Sequence, residues 1–141
     1  MLVATAVGCA PKATFQLTIT NGTDRPVTVG VVKDGPPYEP AFATPEDLAM
    51  EFPMATPPRW GRVIPPGRTI DSPPLTGTFP RGTTASLRVY GGEGTSAELL
   101  ATSSQSPDRL DVLLFPGLNE IVVRPGRDGR LQADPAPAPR R

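Results

Sequence analysis

The chain has 141 residues, 14 basic and 14 acidic, so its formal charge is zero and offers no electrostatic footprint for nucleic acid. Proline (20) and glycine (14) make up about 24% of it, nearly double their average share. That density of helix breakers excludes a helix bundle or coiled coil and argues against a doubly wound α/β fold. Histidine is absent and there is one cysteine, which removes an internal disulfide, most metal sites and most nucleophile–histidine chemistry.

The first ten residues, Met1 to Ala10, form an uncharged apolar run that stops at Cys9, and a polar stretch with Pro11 and Lys12 follows at once. Ala6-Val7-Gly8-Cys9 resembles the lipobox of bacterial lipoproteins. The resemblance implies removal of residues 1–8 as a signal segment and lipidation of Cys9. It also implies a membrane partner reached through that lipid, in the bacterial cell envelope. Residues 9–13 then read as a tether. The other reading makes Leu2 to Val7 an edge strand and Cys9 an ordinary small hydrophobe.

Thr14 to Thr20 alternates strictly, with Phe15, Leu17 and Ile19 on one face, which predicts a strand with one buried side. Asn21 to Pro26 carries turn residues, and Val27 to Val32 resumes the alternation. The pair is expected to be an antiparallel hairpin. Asn21-Gly22-Thr23 also matches a glycosylation sequon; the turn reading is preferred.

From residue 34 to 58 the pattern becomes irregular, bracketed by proline pairs at 36–37 and 57–58. One short helix is expected inside it. Thr44 serves as N-cap, Pro45 opens it, Glu46 and Asp47 favour its positive end, and Leu48 and Phe52 share one face before Pro53.

Further short strands are expected at Arg59 to Ile64, Arg68 to Asp71, Leu75 to Phe79, Ala85 to Tyr90, Glu98 to Thr102, Leu110 to Phe115, Asn119 to Arg124, and Leu131-Gln132. Ser72-Pro73-Pro74 places the second and third at a sheet edge. Gly91-Gly92-Glu93-Gly94 reads as a hairpin turn. Residues 134–141 form a proline–alanine tail without apolar anchors.

Such spacing predicts one all-β domain over residues 14–133, with an insertion at 34–58. The apolar strand ends that run into Pro65-Pro66-Gly67 and Pro116-Gly117 resemble corners of immunoglobulin-like sandwiches. They imply an antiparallel sandwich of about seven to eight strands with one short helix in a long loop.

No catalytic pair, metal-ligand set or cofactor motif emerges. The carboxylates Asp24, Asp34, Asp71, Asp108 and Asp128 sit beside turns and are read as turn or cap chemistry. Four of the eight aromatics (Tyr38, Phe42, Phe52 and Trp60) fall between residues 38 and 60. Loops at the rim of a rigid sandwich carry binding, so Tyr38, Phe42 and Trp60, with Arg59 and Arg62, are the candidate binding residues for a glycan or protein partner. The competing reading gives the insertion its own small core of Leu48, Phe52 and Trp60, and makes the arginines edge-strand charges. The expectation is a non-catalytic, envelope-anchored display module. Two alternatives are an assembly subunit pairing through an edge strand and a hydrolase using lone carboxylates.

Overall fold

A computed structural model describes residues 11–51, 59–103 and 105–135. The lipobox-like segment with Cys9, Phe52 and Pro53, the Pro57-Pro58 pair and the end of the tail lie outside the described residues.

Nine strands among the described residues form an all-β sandwich of two sheets. They are β1 (Lys12–Asn21), β2 (Val27–Asp34), β3 (Arg62–Ile64), β4 (Thr69–Asp71), β5 (Leu75–Thr78), β6 (Thr84–Gly91), β7 (Arg109–Leu113), β8 (Gly117–Pro125) and β9 (Leu131–Pro135). One sheet runs β4-β1-β8-β9, with β5 continuing along the same edge of β1 as β4; the other runs β3-β2-β6-β7. Ser72-Pro73-Pro74 separates β4 from β5 on that edge, as the prolines require. Every pairing is antiparallel except β1 with β8, which is parallel from Phe15 opposite Gly117 to Asn21 opposite Val123. Phe15, Leu17, Ile19, Val27, Val29, Leu87, Val89, Ile121 and Val123 face each other as the core.

β1 and β2 are not a hairpin, contrary to expectation. They lie in different sheets, and Gly22 to Pro26 arches from one layer to the other. Asn21 holds that arch. Its side chain is 0% exposed, donates to the carbonyls of Arg25 and Ile64 (both 2.8 Å), and accepts from the Thr23 N–H (2.9 Å) and hydroxyl (2.6 Å). An amide used in this way has no room for a glycan, so the turn reading of Asn21-Gly22-Thr23 stands over the sequon.

Two other expectations are corrected. Residues 98–102 form no strand. A helix α2 (Ser96–Leu100) stands there, with Thr95 and Glu98 capping each other reciprocally at 3.2 Å, and Gly91 to Gly94 leads into it instead of closing a hairpin. The boundaries also shift: Lys12 and Ala13, read as tether, pair with Thr78 and Gly77, and β9 runs on to Pro135.

The expected helix forms as α1 (Pro45–Glu51), with the Thr44 hydroxyl accepting from the Asp47 N–H (3.0 Å) and the Asp47 carboxylate from the Thr44 N–H (2.9 Å). Both helices lie on the outer face of the β2-β6 sheet. Six consecutive residues of β6, 85 to 90, are therefore buried, Ala85, Leu87 and Val89 inward and Ser86, Arg88 and Tyr90 under the helical layer.

On one side of the sandwich, β7 and β9 approach each other, tied by the Leu131 N–H to the Pro107 carbonyl (3.0 Å). The other side stays open between β3 and β4-β5. No helix among the described residues is long and apolar enough to cross a membrane.

Candidate binding clefts around the insertion

The insertion leaves β2 at Asp34 and returns at β3. Three recesses lined by described residues border it. The first, of about 330 Å³, is lined by Lys33, Gly35, Pro36, Pro37, Tyr38, Glu39, Phe42 and Asp47. Its floor is a charged pair inside an aromatic collar. The Lys33 ammonium pairs with the Glu39 carboxylate, donates to the Pro37 carbonyl (2.9 Å), and lies 4.9 Å from the Phe79 ring centre and 5.3 Å from that of Phe42. Phe79 meets Phe42 and Phe15 edge-on at 5.3 and 5.0 Å, which ties this collar into the main core. Glu39 also accepts from the Thr78 N–H (2.7 Å), anchoring the insertion to β5.

The hydrogen bond from Lys33, followed by that from Thr78, holds the Glu39 carboxyl below its ordinary value of 4.5. A depressed carboxyl contributes stability that is full above its unfolded value and is lost as pH falls through its folded one. The melting gap between the wild type and Glu39→Gln is therefore expected to be widest near neutral pH and to shrink between about pH 5 and about pH 3. Calorimetric scans across that range check it; a gap independent of pH would refute the coupling.

Tyr38 stands at the mouth of this recess, 56% exposed. Partial desolvation, then the charges of Glu51 and Asp47, raise its hydroxyl above the ordinary value of 10.0.

The second recess, about 220 Å³, is lined by Gly30, Val31, Pro40, Ala41, Ala43, Leu48, Arg59, Trp60 and Gly61. Trp60 is only 5% exposed. Its indole N–H donates to the Ala43 carbonyl (2.7 Å), its ring covers Gly30, and it meets Tyr90 edge-on at 5.5 Å. With Val32, Tyr90, Leu99 and Leu48 it forms a small core beneath the helices.

The third recess, about 260 Å³ and mainly apolar, opens between the sheets. Leu17, Ile19, Val29 and Leu87 form its floor, with Ile70, Leu75 and Arg62 among its walls.

Beneath α1, buried Arg88 donates to Glu46 (2.9 Å) and to the Tyr90 hydroxyl (3.3 Å), and its Nε lies 3.4 Å from Asp111, which also pairs with Arg109. Burial alone would raise the Glu46 carboxyl, but its own backbone N–H and Arg88 outweigh it and bring the carboxyl below 4.5. Burial raises the Tyr90 hydroxyl, with Arg88 opposing.

The five expected binding residues thus fall into neighbouring recesses instead of one surface. Tyr38, Arg59 and Arg62 are exposed. Phe42 and Trp60 are packing residues, their rings turned inward because an insertion of this length must bury something of its own. Sequence reasoning missed Lys33, Glu39 and Phe79 as a unit, since only folding brings β2, the insertion and the end of β5 together. It also missed Arg88. The one available signal was Arg88 and Tyr90 sharing a face of an otherwise apolar strand.

Compared with known proteins, the chain matches no family model, no curated protein and no solved structure.

Proposed function

We propose that the chain is a non-catalytic binding module of the bacterial cell envelope, held to a membrane by lipid on Cys9 and presenting the insertion to a glycan or peptide. The observation that carries the binding reading is the exposed Tyr38 ring at the mouth of a cleft whose floor holds both charges and aromatic carbon. Open aromatic faces beside fixed polar groups suit sugars and extended peptides. The carboxylates lining the first recess support binding over catalysis: Glu39 is tied to Lys33 and Asp47 caps α1 at the Thr44 N–H, so both are already engaged in holding the insertion. For the anchor, the support is the apolar run ending at Ala6-Val7-Gly8-Cys9.

The test is retention on immobilised peptidoglycan fragments, which carry both sugar and peptide. Tyr38→Ala is expected to weaken it at least tenfold with an unchanged melting temperature; equal retention removes the cleft from the proposal. Mass spectrometry of the protein from its own cells is expected to find a lipid thioether on Cys9, and an unmodified thiol there removes the anchor.

One observation favours assembly through an edge strand as a second reading. The Gly92 N–H donates to the Pro26 carbonyl (2.7 Å), so even-numbered residues of β2 bond to β6 and odd-numbered ones turn their main chain to the other edge. There β3 meets only Val27 to Val29, which leaves Val31 without a strand partner among the described residues.

A further inference from the structure

Of the large hydrophobic side chains exposed among the described residues, Leu113 (53%), Phe115 (64%) and Leu118 (59%) bracket a single turn, the one that carries the chain from β7 in one sheet to β8 in the other. Register fixes which end of the sandwich this is. Gly117 lies opposite Phe15 in the parallel pair, and Leu113 lies opposite Ser86 near the start of β6. β1 therefore begins at the same end, where the Pro11 carbonyl accepts from the Phe79 N–H (2.8 Å). The turn from Pro80 to Thr83, bearing Arg81, is there too.

We infer that this end is a bilayer-contacting tip. Phe115, at the crest, and Leu113 and Leu118, on the outer faces of the two sheets, enter the headgroup region while exposed Lys12 and Arg81 meet anionic lipid. Two observations choose a bilayer as the occupant. The apolar, uncharged run ends at Cys9, the residue read as lipidated, and Cys9 joins the domain at this end, two residues before Pro11. Exposed Lys12 and Arg81 at this end complement anionic headgroups, against the opposing carboxylate of Asp34 at the end of β2, which the Ser86 hydroxyl bonds (2.8 Å). The inference deepens the anchored-module reading and takes from it the direction in which the domain hangs.

The experiment supplies the anchor chemically, so it stands whether or not cells lipidate the chain. The full chain is coupled through Cys9, its sole cysteine, to maleimide lipid in vesicles of phosphatidylcholine and phosphatidylglycerol carrying brominated acyl chains. In Phe115→Trp, the added indole's emission is expected to fall at least twofold on bromination. In Arg127→Trp, on the turn at the far end of β8, it is expected to stay unchanged. Equal quenching at both positions, or none at position 115, overturns the inference. A solution dimer that Leu118→Asp dissolves also overturns it, in favour of a second copy as occupant.

Discussion

Gly30→Val is expected to lower stability by about 3 kcal/mol, although valine is by far the better strand residue. A Cβ at position 30 would lie 2.5 Å from the nearest carbon of the Trp60 ring, well inside contact distance, and that ring is held from the other side by the Ala43 carbonyl and by Tyr90. Relief requires Trp60 to leave, losing its hydrogen bond and most of its burial. The melting temperature should fall by about 10 °C in a chain of this size. Because Trp60 is the only tryptophan, its emission should move to the red in the folded variant. In the background of Trp60→Ala the same substitution should cost far less, or stabilise. A Gly30→Val protein as stable as the wild type, with blue emission, would show that the third layer does not rest on this contact.

Asn21→Leu should cost about as much, roughly 3 kcal/mol, by a different route. Leucine fills nearly the same space but leaves the Ile64 carbonyl and the Thr23 N–H without the amide in a buried site, while the Arg25 carbonyl keeps only the Thr23 hydroxyl. Asn21→Asp separates hydrogen bonding from volume. It keeps the acceptor facing Thr23 but turns a second carboxylate oxygen toward two carbonyls. The ionised form is therefore disfavoured in the fold, the folded pKa lies above the unfolded one, and the folded state binds more protons. Its stability deficit should narrow as pH falls from about 7 to about 4. Urea unfolding across that range checks the sign; a deficit that widened toward acid would contradict the bonding described.

Strands β1, β6 and β8 were legible because each alternates over at least six residues and packs its apolar face against the same core. The helix at Pro45 was legible too, since its cap residues act locally. What sequence could not convey was partnership. Asn21 to Pro26 has the composition of a hairpin turn, and an arch between sheets keeps the same inward parity for Leu17, Ile19, Val27 and Val29. Only the distant claim of β8 on β1 decides between them. At residues 96–100 the Thr95–Glu98 capping box was present in the sequence, but the run Leu99-Leu100 drew the assignment to a strand. Of the candidate site, exposure at Tyr38, Arg59 and Arg62 followed from an irregular polar segment. The inward turn of Phe42 and Trp60 depended on Gly77 and Gly30, which vacate the space those rings occupy.

The parallel pairing of β1 with β8 ties residues 15–21 to residues 117–123. A contact of that sequence separation makes closure slow, because most of the loop entropy is lost before any of the pairing is gained. During synthesis, β1 can pair with β4 and β5 as soon as they emerge, but its other edge waits for β8. Until then β1 is held along one edge alone, and the sandwich closes only when β8 arrives.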